Sequence, residues 1–297
     1  MLDPHSKKDI EKKSLEILRG SKSFDIFPTP VDKIVSYSEL LVQKDIDVSR
    51  IHSDLFYKAG DALRRAAAKV RGLLDRREKI IYLDLSQSTE RKNFVKLHEV
   101  GHEVLPWQSK IHDVLDDDDN SLRADVVEEF EAEANYFATV TLFQHDRFLD
   151  ELNKLSLGIE SPMYLAKFFG ASIHATLRRY VECSNKRCAL LILENFGKPG
   201  QHQSCTIRNL FQSDKFSKTF GDLILPPKFD TSFDFVRVYY LNRRFKKDGE
   251  IFLQTENGEE EFNYHYFNNT YNAFIFLFPK REKKSSRTKF IITSDKI

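Results

Sequence analysis

The chain is poor in the residues that mark several specialised protein classes. Its 297 residues include only three cysteines, two methionines and one tryptophan. A small and odd number of cysteines argues against a disulfide framework, so a reducing cytoplasm is the simplest location. No apolar run approaches the roughly 20 residues that span a bilayer. The polar N-terminus lacks the apolar segment of a signal peptide. These absences predict a cytoplasmic protein without a membrane segment.

An excess of either charge is also missing. The chain has 46 basic and 45 acidic residues, which gives a net charge of +1. This balance provides no general attraction to nucleic acid or to an anionic membrane. With 41% hydrophobic and 31% charged residues, the composition is that of an ordinary soluble globular protein. The length is sufficient for two domains, or for three small ones.

The apolar pattern predicts helices in the first part of the chain. We expect them at 7–19, 30–40, 54–69, 88–105 and 122–143, followed by two short helices within 161–182. Ser88 is a suitable N-cap, and Pro106 ends the helix that begins there. Two strand-like segments, at 70–74 and 79–83, are joined by a short connection, which predicts a hairpin.

The pattern changes to short strand-like segments after Cys183. The chain has 25 phenylalanines, and many of them lie in this part, as is typical of a strand-built module. Strands are predicted at 188–194, 204–208, 233–241, 249–254, 272–278 and 288–293. The sequence therefore predicts an α+β fold, with a mainly helical first domain that contains a small antiparallel sheet, and a β-rich C-terminal domain. The predicted divisions are 1–150, 151–183 and 184–297.

The string His98-Glu99-Val100-Gly101-His102 is the most informative feature. Histidines four residues apart lie on one helix face, where both imidazoles can bind one metal ion. Glu99 can then act as general base, and afterwards as acid, for a water activated at that ion. This H-E-x-x-H arrangement is found in zinc peptidases, although it arises by chance in about one of a hundred chains of this size.

Catalytic zinc usually takes three protein ligands, so the two histidines need a partner. The helix predicted at 122–143 offers four carboxylates, Glu128, Glu129, Glu131 and Glu133. At about 100° per residue, Glu131 and Glu133 lie on opposite flanks of the apolar stripe of that helix. The other two carboxylates point further toward solvent. Helical geometry therefore leaves Glu131 and Glu133 open as the third ligand.

The H-E-x-x-H string and the later segment Glu131-Ala132-Glu133-Ala134-Asn135-Tyr136-Phe137-Ala138 together resemble the ImmA/IrrE family of metallo-endopeptidases. The Phe-Pro-Thr-Pro sequence at 27–30 and the hairpin containing Gly72 also fit that family, over roughly residues 8–182. The family pattern implies that Glu133, immediately before Ala-Asn-x-Phe-Ala, is the third ligand. The chain departs from the pattern at 141–144, where Thr-Leu-Phe-Gln replaces the usual Leu-Leu-Met-Pro.

The resemblance implies a zincin-like endopeptidase that holds Zn²⁺, or Mn²⁺, through His98, His102 and Glu133, with Glu99 as the catalytic residue. The implied substrate is a helix-turn-helix transcriptional repressor, often encoded nearby. Its cleavage would release genes for stress, DNA-damage or phage responses. The resemblance also implies a helix-turn-helix-like segment at 161–182 and a GAF-like sensory domain at the C-terminus, although no ligand motif in the sequence requires one.

A second hypothesis, from a different class, is a DNA-binding or ligand-sensing transcriptional regulator with a structural metal site. Arg178 and Arg179 would supply the DNA contact from the helix-turn-helix-like segment. Two arginines provide little positive charge for binding the phosphates of DNA. A helical hairpin packed on the protease is therefore the favoured interpretation of that segment.

The remaining candidate groups have simple structural explanations. The cysteines could form a zinc set with a histidine, an aromatic run could stack a ligand, and an acidic run could bind a cation. We favour simpler explanations, in which the cysteines are free thiols, the aromatic run is a buried strand, and the acidic and basic runs are solvated loops. The residues concerned are Cys183, Cys188, His202 and Cys205, the aromatic run 262–267, the acidic run 116–119 and the basic run 280–284.

Overall fold

The computed structural model describes residues 2–47, 72–108, 124–197 and 203–280. The chain divides into two compact units, Met1–Asp150 with Leu165–Ser172, and Glu151–Tyr164 with Ile173–Ile297. The predicted α+β class is confirmed, whereas the predicted three-part division stays a prediction. Several predicted features lie outside the described residues, namely the helix at 54–69, the acidic run 116–119, His202, the basic run 280–284 beyond Lys280, and the strand at 288–293.

Helices form most of the first unit. The described ones are α1 (Pro4–Gly20), α2 (Val31–Tyr37), α3 (Thr89–Val104), α4 (Ala124–Leu142) and α5 (Asp146–Asn153), of which α5 continues into the second unit after Asp150. Helix α4 packs against α1 and α3, and α2 packs against α3. The apolar stripe predicted for α4 is Val126, Phe130, Ala134, Phe137 and Thr141, of which Val126 is half-buried and the other four are buried. The core of this unit therefore lies on both sides of α4.

A small sheet accompanies these helices, with strands β1 (Leu41–Asp47), β2 (Gly72–Asp75) and β3 (Ile80–Leu83) in the order β1-β3-β2. Strands β2 and β3 form the predicted antiparallel hairpin. Strand β1 is parallel to β3, with Leu41 opposite Ile80. The sheet is thus mixed, and not antiparallel throughout as expected. The helix predicted at 30–40 ends at Tyr37, because the chain turns there and continues as an extended strand.

Helix α3 is the element that carries the H-E-x-x-H string. The predicted N-cap is confirmed, since the Ser88 side chain accepts a hydrogen bond from the Arg91 amide. The helix ends at Val104, just before the extended residue Leu105 that precedes proline. A Cβ added at Gly101 would lie 3.1 Å from Phe137 Cδ1 and 3.2 Å from Ala134 Cα. This glycine lets α4 approach α3 closely enough for side chains of both helices to meet.

The second unit is built on a seven-stranded antiparallel sheet. Its strands are β4 (Ala189–Glu194), β5 (Ser204–Gln212), β6 (Leu223–Ile224), β7 (Lys228–Asp230), β8 (Phe245–Thr255), β9 (Gly258–Asn268) and β10 (Ala273–Pro279), in the order β6-β8-β9-β10-β4-β5-β7. The described helices after α5 are α6 (Glu160–Phe169), which both units share, α7 (Ile173–Cys183), α8 (Asp214–Phe220) and α9 (Asp234–Tyr240). Helix α7 packs on β4 and β5, and α9 packs on β8.

The strand predicted at 233–241 is wrong, because these residues form α9. Their aromatic and β-branched side chains favour strands. However, the adjacent residues Phe235 and Val236 are both buried, an arrangement that suits a packed helix better than a strand with one buried face. The aromatic run 262–267 lies in β9 as a mostly buried strand, as favoured from the sequence. Within the described residues, no helix combines the length and apolar character needed to cross a bilayer.

Candidate metal centre

The two histidines of the motif lie one turn apart on the face of α3 that points toward α4. Their rings are arranged edge to face with centroids 4.6 Å apart, and the two Nε2 atoms are separated by 3.0 Å. His98 is only 1% exposed. The helix therefore presents both imidazole nitrogens to one point, as the four-residue spacing predicted.

Helix α4 brings a carboxylate to the same point. Glu131 Oε2 lies 3.3 Å from His98 Nε2, and Glu131 Oε1 lies 3.3 Å from His102 Nε2. Burial alone would raise the pKa of Glu131, but the adjacent imidazoles of His102 and His98 lower that pKa to about 2. Glu131 is therefore a carboxylate at neutral pH, which is the form that binds a cation.

The geometry of these three side chains fits a zinc ion. Their ligand atoms all lie within 4.8 Å of one another, and no second group of this kind is found in the part of the chain that the structure describes. Zinc bonds to nitrogen and oxygen are about 2.0–2.1 Å long, so the ligand atoms of a tetrahedral ion lie about 3.3 Å apart. The distances of 3.0 and 3.3 Å between the ligand atoms here match that value. Two imidazoles and one carboxylate also accept manganese.

Glu99 lies beside this cluster and is only 5% exposed. Burial raises the pKa of Glu99, and the two neighbouring histidines oppose that rise. A Cβ added at Gly72 would lie 3.1 Å from Glu99 Oε1, so the first residue of β2 runs directly over this carboxylate. A buried carboxylate with a raised pKa is a suitable general base near neutral pH.

Glu133, the ligand implied by the family pattern, has a different place. Its carboxylate is buried, and Oε2 accepts hydrogen bonds from Trp107 Nε1 at 2.7 Å and from Gln108 Nε2 at 2.6 Å. Residues two apart on a helix point about 200° away from each other, so Glu131 and Glu133 cannot face the histidines in the same way. Of the two positions left open by the sequence, the geometry favours Glu131.

Three residues near the centre were not identified from the sequence. Gln108 Oε1 lies 2.8 Å from His102 Nδ1, and Arg76 Nη2 donates to the His102 carbonyl at 2.9 Å. Trp107 is the third, through its bond to Glu133. The one available signal was position, since the tryptophan and the glutamine follow directly after the motif helix.

The other candidate groups are engaged elsewhere. Arg178 donates to Glu182 at 2.7 Å and lies over the ring of Phe211, so the proposed DNA contact is partly occupied within the second unit. The cysteines Cys183, Cys188 and Cys205 form no disulfide with one another. Burial raises the pKa of Cys205 to about 12, which disfavours the thiolate that a metal would need.

A family model matches the part of the chain that contains this site. Residues 44–180 match the model of the peptidase family M78, described as the IrrE N-terminal-like domain. No curated protein matches the chain. Among solved structures, a Mycobacterium tuberculosis transcriptional regulator is similar, with 12% identity and a TM-score of 0.49 over 91% of this chain and 75% of that one.

Proposed function

Because the chain belongs to the ImmA/IrrE family through its IrrE N-terminal-like domain at residues 44–180, we propose that it is a zinc-dependent endopeptidase. The observation that carries this proposal is the meeting of His98, His102 and Glu131 beside a buried Glu99. All four side chains come from α3 and α4, so the packing of two helices is sufficient to assemble the site.

Each of these side chains has a defined task in peptide hydrolysis. His98, His102 and Glu131 would hold the ion, which when bound lowers the pKa of water and polarises a carbonyl. Glu99 would take a proton from the attacking water and hold it on its carboxylate. It would then deliver that proton to the nitrogen of the leaving amine. The burial of Glu99 supports this role, because it raises the pKa of the carboxyl toward the working pH.

The proposed substrate is a helix-turn-helix transcriptional repressor encoded near this chain. Cleavage in the cytoplasm would release genes that respond to stress, DNA damage or phage. The support for this substrate is the family resemblance of the two motifs. The four side chains of the site support peptide hydrolysis as such and carry no argument for a particular substrate.

The experiment is incubation of the full chain and zinc with the neighbouring repressor, followed by mass spectrometry of the products. We expect cleavage by the native chain and none by Glu99→Gln, which preserves the shape and the burial of the side chain. Zinc content of Glu99→Gln serves as the control and should be unchanged, since this residue is not a ligand. Equal cleavage by both proteins would show that Glu99 is not the general base. It would favour the alternative hypothesis, a transcriptional regulator with a structural metal site.

A further inference from the structure

We propose that Gln108, held by Glu133, is a positioning residue that fixes which nitrogen of His102 faces the metal. This inference rests on the proposed zinc site and deepens it. It also gives Glu133 a function other than that of a ligand. The observation behind it is a chain of short contacts, from Glu133 through the amide of Gln108 to the imidazole of His102.

The orientation of the Gln108 amide follows from its neighbours. Its nitrogen lies 2.6 Å from Glu133 Oε2 and 3.2 Å from the Phe130 carbonyl oxygen. A carboxylate and a carbonyl only accept hydrogen bonds, so the group that faces them must be the NH₂ of the amide. A flipped amide would place its oxygen against two acceptors. The amide oxygen of Gln108 therefore faces His102.

The proton on His102 follows from the same argument. Gln108 Oε1 is an acceptor 2.8 Å from His102 Nδ1, so that nitrogen must carry the proton. In the neutral ring the lone pair is then on Nε2, which is the atom that lies near His98 and Glu131. The amide thus selects the tautomer that binds a metal through Nε2.

Burial of Gln108 and Glu133 strengthens the preference for this tautomer of His102. Gln108 is fully buried and Glu133 is 4% exposed, so a lost hydrogen bond is not readily replaced by water. The indole of Trp107 is a donor only, and it binds the same Glu133 oxygen at 2.7 Å. Two donors on one carboxylate oxygen hold Glu133 in position. A fixed Glu133 in turn holds the amide.

The first test is nuclear magnetic resonance of the zinc-loaded full chain with nitrogen-15 in its histidines. We expect the native protein to show a His102 Nδ1 proton protected from exchange with solvent. Gln108→Leu should lose that protection, and its zinc affinity, measured by competition with a chelator, should fall about tenfold to a hundredfold. Gln144→Leu is the matched control. That buried glutamine donates to Ile26 and Thr29 and should affect stability alone.

The second test separates the two glutamates and does not depend on Gln108 variants. Glu131→Gln should lose zinc, whereas Glu133→Gln should retain it, because an amide oxygen can still accept from Trp107 or Gln108. The inference would be overturned if Glu133→Gln lost zinc as completely as Glu131→Gln. It would also be overturned if Gln108→Leu kept the zinc affinity of the native chain and a protected proton on His102 Nδ1. In both cases the native chain would still bind zinc and cleave the repressor. A native chain that bound no zinc would refute this inference together with the proposed function.

Discussion

At the scale of single residues, Gly72 shows how little space surrounds the proposed base. A Cβ at this position would lie 2.3 Å from Val95 Cγ1 and 3.1 Å from Glu99 Oε1. Gly72→Ala should therefore push β2 away from α3 and lower the free energy of unfolding by about 1–3 kcal/mol. It should also reduce peptidase activity, because Glu99 shifts. Urea denaturation and the cleavage assay would measure the two effects.

A second substitution, at Val95, tests whether the expected clash of Gly72→Ala causes its loss of stability. Val95→Ala removes the atom that an added Cβ would meet first, so the double variant should recover part of the loss in a double-mutant cycle. Strictly additive losses in stability would show that the two side chains do not interact. The proposed close approach of β2 to α3 would then be incorrect.

Some residues of the candidate site could be predicted from the sequence, and the third ligand could not. His98, Glu99 and His102 follow from a fixed spacing on one helix, and no knowledge of the rest of the fold is needed. The third ligand depends on how α4 is rotated and where along its length it meets α3. That rotation is set by packing around Gly101, so Glu131 could not be separated from Glu133 by helical periodicity alone.

At the scale of elements, the N-terminus of α3 offers a test that leaves the site chemistry intact. Ser88→Ala removes the side-chain acceptor of the Arg91 amide and should lower the free energy of unfolding by about 0.5–2 kcal/mol. Ser88→Asp should preserve it, because aspartate is also a good N-cap and its charge suits the helix dipole. Urea denaturation measures both variants, and an aspartate as damaging as the alanine would contradict the capping role.

A second test at this scale concerns Asp234, which connects α9 to two strands. Burial alone would raise the pKa of Asp234, but hydrogen bonds from Lys246 on β8 and Tyr264 on β9 lower it to about 2. A lowered pKa stabilises the fold above about pH 4, the range of an ordinary aspartate, and this contribution is lost as the pH falls toward 2. The contribution is small, since the side chain is 36% exposed.

Asp234→Asn should therefore flatten the loss of stability between about pH 4 and pH 2, as measured by urea midpoints across that range. Asp248→Asn is the matched control, because Asp248 is an exposed aspartate on β8 in the same unit. The control should keep the slope of the native chain. An unchanged slope in Asp234→Asn would mean that this carboxylate does not stabilise the fold.

Elements differ in how well a single sequence predicts them. Helices α3 and α4 were predicted within a few residues, because their apolar side chains recur with helical period and a cap marks one end. Strand β1 was not predicted because its apolar residues, Leu41, Val42 and Ile46, do not alternate with polar ones, and its partner β3 lies far along the chain. Helix α9 was mistaken for a strand because its propensity favours strands, and burial decides otherwise.

At the scale of the whole molecule, zinc should stabilise the folded chain by mass action. A free zinc concentration of about 100 times the dissociation constant should add about 2.7 kcal/mol to the free energy of unfolding. Thermal unfolding should then show a raised Tm that a chelator reverses. His102→Ala should show no such rise, because one of its ligand atoms is lost. A Tm insensitive to zinc in the native chain would argue against a site formed by the native fold.

The α+β class was predicted at this scale from the change of pattern after Cys183, where helical periodicity gives way to short aromatic segments. The order of the seven strands could not be predicted in the same way. Strand β10 lies between β9 and β4, so the sheet joins segments far apart in the sequence. Such pairing is decided by the burial of whole faces, which no local pattern encodes.

The position of Trp107 has a practical consequence. The chain contains one tryptophan, and its indole donates to Glu133 within the hydrogen-bond network of His102. All tryptophan fluorescence of the chain therefore originates beside the metal centre. The sheet of the second unit contains no tryptophan and contributes none. We therefore expect the fluorescence of the unlabelled protein to change when the centre is filled or emptied.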